Sequence, residues 1–500
     1  MKSFKAVEAT RRDYHADGAL NSVHRSSLLV PALPSAAVEV SFLNHFLLKR
    51  GYPRVGCRVT EVDSAGKRIQ ARLITVDAPR AYTINLSEDG HPDCVSFMVE
   101  FFAAENLFIP FPAVMVNHRG DGFLNSVHSY NRVLNDVFED DAINAVSQRE
   151  AAIDVRVDEN VSTFLVLSAG QTPCEGLLDI RLDHEGCRFE RAVPISIPRL
   201  NHHITDLRAV FPDLNRVTGG VLTVQQPRQP MFYGRMLVGR AASDGAFSAN
   251  HSYYDSSHIE EYWEDGRPSA RTYPFLRALD NRLRFYPILS PGRLALAITP
   301  NDRAGRPIAR IEAGIIESPG GRAIDLSVNE ACRAAGIDLE SVSAFAVEVK
   351  PLDGGTPTRV NHQLVYGGGG LESSINMSLT NPNVFAPAGK AGFTWGQFPV
   401  GGEQESWLAV TTNVPGGESC IAALSCYDES GLVDERHLHI PAGAAVTLKP
   451  EELLPDAVLR HAEEGLKYVW FELRAERPDI YGYALSRHRR TGHCSGEHSF

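Results

Sequence analysis

The chain has 500 residues, of which 43% are apolar and 22% charged, and its formal net charge is −12. A single apolar core stops growing at about 250–300 residues, so we expect several domains, each able to bury a core. The excess of acidic side chains opposes the counterion release that drives nucleic-acid binding, which argues against a nucleic-acid partner. No run of about 18 apolar residues occurs, so no membrane-spanning helix and no membrane partner are predicted.

The cysteines and the first 19 residues indicate in which cellular compartment the protein is expected. The first 19 residues contain lysines and arginines but no apolar run of the length that a signal peptide needs. The eight cysteines are spread along the chain without C-x-x-C pairs, which is typical of neither a disulfide framework nor a zinc ribbon. We therefore predict reduced thiols and a cytoplasmic location.

The first of three repeated signals is D-x-x-G between apolar runs. Because Asp favours a turn through its side chain and Gly accepts positive φ, the pattern predicts the tip of a β-hairpin. The four copies are Asp63–Gly66, Asp183–Gly186, Asp302–Gly305 and Asp428–Gly431.

A second signal, a pair of apolar residues, follows each D-x-x-G. The copies are Ile84–Leu86, Ile204–Leu207, Ile324–Leu326 and Val446–Leu448. After the last three copies the sequence predicts a short helix, over 208–214, 327–336 and 450–457, and Pro450 suits a first helical turn. Such a helix would link two sheets.

The third signal is G-x-x-[NS]-x-x-[HN]. Its copies are Gly122–His128, Gly245–His251, Gly370–Asn376 and Gly492–His498. The glycines of this signal and those of D-x-x-G recur in the same order at about 120 residues. Two independent landmarks with one period indicate a tandem repeat.

The repeat length and the turn chemistry predict an all-β fold of four tandem antiparallel β-sandwich repeats of immunoglobulin-like type, each about 120 residues long, with short connecting helices. Propeller blades repeat at about 40–50 residues, which is too short a period. The predicted organisation is an N-terminal arm (1–24), repeats at 25–134, 148–257, 281–379 and 391–500, a linker helix at 135–147, and linkers at 258–280 and 380–390.

The N-terminal arm carries a detached copy of the third signal. Residues 17–24 and 121–128 differ only at Ala19 and Phe123. Since no D-x-x-G precedes the detached copy, we predict an orphan strand rather than a further domain. The backbone groups of such a strand must pair with a sheet.

The third signal is the first candidate for a functional site. Strand alternation places Ser126 and His128 on one face of a strand that follows the turn, and Asn125 directly precedes them. In the second repeat, it places His251 and Tyr253 on the corresponding face. These side chains either satisfy backbone groups at the closing strand of each repeat or form a ligand-binding surface.

Tyr253 and Asp255 open the segment that is richest in aromatic and acidic residues, which continues to residue 264. Rings that stack and acids that hydrogen-bond are typical of a sugar-binding site and also of a domain interface. The candidate ligand-binding set is therefore Asn125, Ser126, His128, His251, Tyr253 and Asp255.

The C-terminal segment is the candidate metal site. His493, Cys494 and His498 lie within six residues, and imidazole and thiolate are ligands of zinc and copper. The Cys494-x-x-x-His498 spacing resembles the copper-binding loop of cupredoxins over five residues, without the downstream Met of that family. The cluster therefore predicts, as one of two interpretations, a bound Zn or Cu cofactor.

Catalytic residues stay unknown from the sequence. It has no G-x-S-x-G motif, and the glycine run at 367–370 lacks the Lys-Ser/Thr of a phosphate-binding loop, so the run predicts a flexible hairpin loop. The leading hypothesis is a modular, non-catalytic binding or scaffolding protein that presents repeated His, Ser, Tyr and Asn surfaces to a small molecule, a glycan or another protein. The alternative is a metal-binding protein or metal-dependent enzyme that uses the C-terminal His/Cys cluster.

Overall fold

The computed structural model describes residues 25–33, 35–88, 90–102, 113–132, 149–214, 216–229, 233–254, 261–264, 266–286, 292–318, 323–381, 390–415 and 417–500. The described residues divide after Tyr254 into two compact units, called here the N-terminal unit and the C-terminal unit. Antiparallel strands make up most of both units, as predicted for an all-β fold. Over these ranges no helix is long and apolar enough to cross a membrane.

The N-terminal unit starts with strands in which β-branched and aromatic residues predominate and at least one face is buried. They are β1 (Arg25–Pro31), β2 (Ala37–Leu43), β3 (Val55–Asp63), β4 (Arg68–Val76), β5 (Ala81–Asn85), β6 (Cys94–Phe102), β7 (Met115–Gly120), β8 (Phe123–His128) and β9 (Asn131–Arg132).

Residues 149–254 complete the N-terminal unit. Their strands are β10 (Arg149–Val157), β11 (Val161–Ser168), β12 (Cys174–His184), β13 (Cys187–Ile197), β14 (His202–Asp206), β15 (Val217–Gln225), β16 (Tyr233–Gly234), β17 (Leu237–Ala242), β18 (Phe247–His251) and β19 (Tyr253–Tyr254). Strand β16 pairs with β9, and β19 pairs with β10.

The C-terminal unit starts with a comparable set over residues 261–381. The strands are β20 (Tyr262–Trp263), β21 (Ser269–Pro274), β22 (Asp280–Phe285), β23 (Gly292–Asp302), β24 (Ile311–Ser318), β25 (Ile324–Ser327), β26 (Val342–Pro351), β27 (Thr356–Pro357), β28 (Val360–Gly367) and β29 (Ser373–Leu379).

Residues 390–500 complete the C-terminal unit. The strands are β30 (Gly392–Val400), β31 (Gln404–Thr412), β32 (Cys420–Asp428), β33 (Gly431–Ile440), β34 (Ala445–Leu448), β35 (Lys467–Ala475), β36 (Ile480–His488) and β37 (Cys494–His498). We refer to residues 25–132, 149–254, 261–381 and 390–500 as segments one to four.

One arrangement of strands recurs in all four segments. Segment one has a sheet of order β1-β6-β3-β4 and a second of order β5-β2-β7-β8. The orders β21-β26-β23-β24 and β25-β22-β28-β29 repeat this arrangement in segment three, and β30-β35-β32-β33 and β34-β31-β36-β37 repeat it in segment four. In segment two the same orders, β10-β15-β12-β13 and β14-β11-β17-β18, are joined through β10 and β11.

The strand order differs from that of immunoglobulin domains, in which strands A, B, E and D form one sheet and C, F and G the other. The second strand pairs with the fifth and the third with the sixth, as in those domains. The first strand, however, pairs with the sixth, and the seventh pairs with the second. The fourth strand pairs with the third, so the first, fourth and seventh strands lie in the opposite sheets.

Each D-x-x-G lies at a hairpin tip, which confirms that prediction. The hairpins are β3–β4, β12–β13, β23–β24 and β32–β33. At the first tip the Asp63 carboxylate accepts the backbone N–H groups of Ala65 and Lys67, both at 2.9 Å. Gly66 follows with φ +79°, a conformation that glycine adopts without a steric penalty.

The tips of segments one and three are held by the segment that follows in the same unit. In the N-terminal unit, Asn201 Nδ2 donates to the carbonyl of Asp63 at 2.9 Å, and Arg199 Nε donates to that of Gly66 at 3.1 Å. In the C-terminal unit, Asn301 Nδ2 donates from the strand end to the carbonyl of Gly443 at 2.8 Å. Neighbouring segments within a unit are therefore fixed to each other.

Short helices follow the second signal where they were predicted. Asp206 and Ser327 cap two of them by accepting backbone N–H groups in the first turn. The helices are α1 (His45–Arg50), which the sequence did not predict, α2 (Leu207–Val210), α3 (Val328–Ala334), α4 (Pro450–Leu453) and α5 (Asp456–Glu463), and Leu339–Ser341 forms a 3-10 turn.

Apolar side chains from both sheets of a segment meet in one core. In segment two, Leu165 of one sheet and Leu222 of the other belong to the same buried cluster. The core of segment three also includes Trp407 and Tyr483 from segment four. Segments three and four thus share part of their packing.

One predicted linker contains the strands β20 and β21. Residues 258–280 include Ser269–Pro274, which is buried throughout and pairs with β26 as the edge strand of its sheet. Gly and Pro nearby suggested a loop, but an edge strand tolerates Pro. The linker helix at 135–147, the orphan strand at 17–24 and residues 382–389 of the last linker lie outside the described residues.

Candidate functional site

The last hairpins of neighbouring segments face each other within each unit. Strand β8 contacts β18 in the N-terminal unit, and β29 contacts β37 in the C-terminal unit. These strands carry the third signal. The side chains predicted to form a functional surface therefore lie at a seam between two segments.

The seam of the N-terminal unit brings two predicted residues together. The rings of His128 and His251 lie 4.7 Å apart and are nearly perpendicular. Nδ1 of His251 lies 2.7 Å from the carbonyl oxygen of Ser252 and 3.0 Å from Nη1 of Arg235. Its backbone N–H donates to Oδ1 of Asn250 at 2.7 Å. His251 is therefore held on both its ring and its backbone.

His498 repeats the contacts of His251 in the C-terminal unit. Its Nδ1 lies 2.7 Å from the carbonyl oxygen of Ser499, and its backbone N–H donates to Oε1 of Glu497 at 3.1 Å. The hydroxyl of Tyr481 lies 3.1 Å from the same Nδ1. Because the contact to the next residue recurs, this histidine position first serves to fix the closing strand of each unit.

Asn125 and Ser126 are buried in the seam of the N-terminal unit. Oδ1 of Asn125 accepts the backbone N–H of Ala249 at 2.7 Å, which links β8 to β18. Oγ of Ser126 donates to Oδ1 of Asn117 at 2.7 Å, which links β8 to β7. Both side chains thus stabilise the seam.

The aromatic and acidic segment is described in part. Tyr253 is buried, with its ring 6.5 Å from that of His251. Asp255 lies outside the described residues. Trp263 is buried in β20 and pairs with Thr356 of β27. Tyr253 and Trp263 therefore contribute to packing.

The three predicted metal ligands do not converge. Cys494 and His498 are the two ends of the extended strand β37, and residues four apart in a strand are separated by about 13 Å. Nδ1 of His493 accepts the backbone N–H of Leu371 at 2.7 Å. Burial raises the pKa of the Cys494 thiol to about 12. Because of their separation, Cys494 and His498 lie too far apart to share one metal ion, and a bound Zn or Cu stays a prediction.

The glycine run at 367–370 forms a tight contact between two hairpin tips and not the free loop that the sequence suggested. The N–H of Gly370 donates to the carbonyl of Gly492 at 3.2 Å. A Cβ at Gly368 would lie 2.6 Å from Cδ of Arg487, and a Cβ at Gly492 would lie 2.5 Å from the carbonyl oxygen of Gly368. Side chains larger than hydrogen would separate the two tips.

A repeated Val-Asn-His places a histidine in the core of segments one and three. The hydroxyl of Tyr273 lies 2.7 Å from Nε2 of His362, and burial lowers the pKa of His362 to about 3. Burial likewise lowers the pKa of His118 to about 4. Both rings are therefore neutral at pH 7 and belong to the core.

A cleft of about 660 Å³ lies between segments three and four of the C-terminal unit, and we call it the Trp407 cleft. Its wall includes Trp407 and the hydroxyls of Ser343 and Thr447. The basic side chains are Arg277, Arg303 and Lys449, and the acidic ones are Glu340 and Glu452. Nη1 of Arg277 pairs with Glu340 at 3.0 Å, and Nζ of Lys449 pairs with Glu405 at 3.2 Å. Among the charged lining residues, the basic ones outnumber the acidic ones by one.

A second cavity of about 470 Å³ lies at the two interlocked hairpin tips of the same unit, and we call it the hairpin pocket. Its basic side chains are Arg487, Arg489 and Arg490, against one carboxylate, Glu405. The glycines of both tips form the rest of the wall together with Thr491, so backbone atoms border the cavity.

One carboxylate separates the two cavities. Glu405 accepts from Nζ of Lys449 at 3.2 Å and from Nη2 of Arg487 at 2.6 Å. Arg487 also donates to the carbonyl of Ala278 at 3.2 Å, and its guanidinium lies 5.8 Å from the ring centroid of Trp407. Burial would raise the pKa of Glu405, but Arg487 and Lys449 outweigh burial and lower it. The bridge therefore stays ionised at neutral pH.

Neither cavity was found from the sequence. One signal was available, because Arg487-His-Arg-Arg490 is a basic run in an acidic chain at the tip of the last hairpin. Arg277 and Lys449 carry no such signal, since they lie far apart in the chain and meet only through the strand order.

Comparisons with known proteins do not assign the chain to a family. No family model matches it, and no curated protein matches it. One solved structure that this chain is similar to is the crystal structure of a tetra-tandem repeat in the extending region of a large adhesion protein. The sequence identity is 11%, and the alignment covers 89% of this chain and 91% of that chain. The TM-score is 0.12, so this likeness does not establish a shared fold.

Proposed function

We propose that this chain is a modular, non-catalytic binding protein of four tandem two-sheet repeats, and that its Trp407 cleft binds an acidic glycan. The recurrence of one strand order in all four segments supports the modular architecture. The second–fifth and third–sixth strand pairs, which also occur in immunoglobulin domains, support an immunoglobulin-like repeat as part of this proposal. Tandem sandwiches of this kind commonly serve as binding modules.

The Trp407 cleft is the observation that carries the proposal. Its volume of about 660 Å³ suits a small ligand or a few sugar units. The largely buried ring of Trp407 borders the cleft, and Thr447 offers a hydroxyl to a sugar. Nη1 of Arg277 pairs with Glu340 at 3.0 Å, and the other guanidinium N–H groups are donors for a carboxylate. An excess of basic groups in a chain of net charge −12 favours a ligand of negative charge.

The thiols and histidines favour binding over nucleophilic catalysis. Burial raises the pKa of Cys426 and of Cys494 to about 12, so both are protonated at neutral pH. The ring of His498 is tied to the backbone carbonyl of Ser499. All eight cysteines are free, which supports our proposal of a reducing compartment such as the cytoplasm.

The test is isothermal titration calorimetry of the full chain with acidic tetrasaccharides. One probe is a galacturonate tetramer, and the other alternates glucuronate with N-acetylglucosamine. Each is paired with its methyl ester, which keeps the sugar and removes the charge. We expect at least one acid to bind, and its ester to bind at least about tenfold more weakly because the charge-assisted hydrogen bonds are lost.

Two variants locate the binding. Arg277→Gln should weaken binding of the acid about tenfold, because it removes a charged donor from the cleft. Arg460→Gln is the matched control, since Arg460 is exposed on α5 and lines neither cavity. The proposal is wrong if neither acid binds, if acid and ester bind equally, or if Arg277→Gln has no effect.

A further inference from the structure

Building on the proposed function, we infer that Arg303 is the specificity-determining residue with which the Trp407 cleft recognises the negative charge of its ligand. Arg303 is the second residue of the D-x-x-G tip of segment three, is exposed and borders the cleft. The N-terminal unit lacks this residue at its corresponding tip, so each chain binds one acidic ligand, in its C-terminal unit.

The other two basic side chains of the cleft already have acidic partners. Arg277 pairs with Glu340 at 3.0 Å, and Lys449 pairs with Glu405 at 3.2 Å. Over the described ranges, the side chain of Arg303 makes neither an ion pair nor a hydrogen bond. A ligand carboxylate at Arg303 therefore displaces no protein carboxylate and meets a guanidinium whose charge is not neutralised.

The hairpin tip holds the backbone of Arg303 in place before a ligand arrives. Oγ of Ser343 donates to the carbonyl of Asp302 at 2.8 Å. Nδ2 of Asn301 donates to the carbonyl of Gly443 in segment four at 2.8 Å. The backbone is thus ordered in advance, which lowers the conformational entropy that binding has to overcome.

The corresponding tip of segment one shows that the turn does not require an arginine. Asp63 and Asp302 each accept the backbone N–H groups two and four residues further on. Both tips are also hydrogen-bonded to the segment that follows. The residue after the aspartate is Ser64 in segment one and Arg303 in segment three. The arginine is therefore a feature of the Trp407 cleft and not of the turn.

The residue that precedes the short helix differs between the two units in the same direction. Asp206 caps α2 and Ser327 caps α3, whereas Lys449 stands at this position before α4. An ammonium group has no acceptor, so Lys449 cannot cap a helix as they do. A cation thus lines the Trp407 cleft at a position where segment two has a carboxylate. With Ser64 and Asp206 at these positions, the N-terminal unit has neither cation for an acidic ligand.

Calorimetric titration of the full chain with the two acidic tetrasaccharides and their methyl esters tests the role of Arg303. The variant Arg303→Ser gives segment three the residue that the tip of segment one carries, so the turn is expected to fold unchanged. It should reduce the preference for acid over ester from at least about tenfold to about threefold or less, because the charge-assisted hydrogen bonds are lost. The affinity for the ester should not change, and the wild-type chain should bind one acid.

Further variants separate charge from geometry and from general effects. Arg303→Lys should recover part of the preference, because the charge returns without the planar guanidinium. Arg303→Ser should weaken binding of the acid more than Arg277→Gln, since Glu340 already pairs with Arg277. Arg333→Gln is the matched control, because Arg333 is exposed on α3 of the same segment and lines neither cavity.

The outcomes distinguish this inference from the proposed function. If the wild-type chain prefers the acid and Arg303→Ser keeps that preference, Arg303 is not the recognising residue while the proposed function stands. Equal losses of affinity for acid and ester, or a lowered melting temperature of Arg303→Ser, would show a structural role and overturn the inference. Two acids bound per chain would contradict the restriction to the C-terminal unit. If the wild-type chain does not prefer either acid to its ester, the proposed function itself is wrong.

Discussion

The hydroxyl oxygen of Tyr273 lies 2.7 Å from Nε2 of His362, with both side chains buried in the core of segment three. Because the pKa of His362 is lowered to about 3, its ring is neutral, and Nε2 accepts a hydrogen bond from the Tyr273 hydroxyl. His118 occupies the same position of Val-Asn-His in segment one. The ring of His118 faces the backbone of Asn125 and the ring of Phe247 at 5.3 Å instead of a tyrosine hydroxyl. The two histidines therefore differ in what their removal leaves behind.

We expect His362→Phe to lower the free energy of unfolding by about 1–3 kcal/mol, because the buried Tyr273 hydroxyl loses its acceptor. His118→Phe should change it by less than about 1 kcal/mol, since it removes buried polar atoms and leaves no side-chain hydroxyl without its acceptor. Urea denaturation of the full chain measures both.

A double-mutant cycle controls for the change in side-chain volume. Adding Tyr273→Phe to His362→Phe removes the stranded hydroxyl and should recover part of the loss. If His118→Phe is as destabilising as His362→Phe, or if Tyr273→Phe recovers nothing, the hydrogen bond is not the cause.

Buried histidines should make the folded chain sensitive to acid. Burial lowers the pKa of His45 to about 3 and that of His202 to about 4, as it does for His118 and His362. In the unfolded chain these groups titrate near pH 6.5, so between that pH and their folded pKa the unfolded state binds more protons. Their contribution to stability is complete above about pH 6.5 and falls as the pH decreases, by about 1.4 kcal/mol per pH unit for each histidine.

The variant His118→Phe tests this pH dependence. Between pH 7 and pH 5 it should lose about 2 kcal/mol less stability than the wild-type chain, because one depressed histidine is gone. Urea denaturation at pH 7, 6 and 5 measures how the free energy of unfolding of the variant and of the wild type depends on pH. An equal pH dependence of the two proteins would contradict the assignment of His118 as a neutral buried group.

Local chemistry and long-range pairing differ in how far the sequence reveals them. Asp63 and Gly66 define a turn by themselves, so the hairpin tips were predictable. The strand order was not, because it depends on contacts between distant residues, and likewise nothing local brings Arg277 near Lys449. The separation of Cys494 from His498 could not be predicted for a related reason. The spacing of Cys494 and His498 is the same on a loop or a strand, and only the pairing of β37 with β36 decides between them.

Two hairpin glycines with the same conformation should differ in their tolerance of alanine. Gly186 and Gly305 have φ of +78° and +77°, so each Ala substitution introduces a backbone strain of about 1 kcal/mol. A Cβ at Gly186 would meet no atom within 4 Å, whereas one at Gly305 would collide with the carbonyl oxygen of Ala442. We expect Gly186→Ala to cost about 1 kcal/mol and Gly305→Ala at least about twice as much, measured by thermal and urea unfolding.

Equal losses for the two variants would mean that the tip of segment three is not held against segment four as the structure has it. Gly186→Ala is thus the matched control for the backbone strain, and the difference between the variants isolates the contact with Ala442.

Cys187 should react with thiol reagents far ahead of the other seven cysteines. It is exposed on β13, whereas Cys94 is half-buried and the remaining six are buried. Burial also raises the pKa of Cys332 to about 11 and that of Cys426 to about 12, which removes the reactive thiolate at neutral pH.

With an aromatic disulfide reagent at pH 7.5 we expect about one rapidly reacting thiol per native chain and all eight after unfolding. Cys187→Ser should abolish the rapid phase and leave the melting temperature unchanged, since the side chain makes no core contact. Rapid reaction of several thiols in the native chain, or of one thiol that persists in Cys187→Ser, would show that the buried cysteines are more accessible than their positions in the sheets imply.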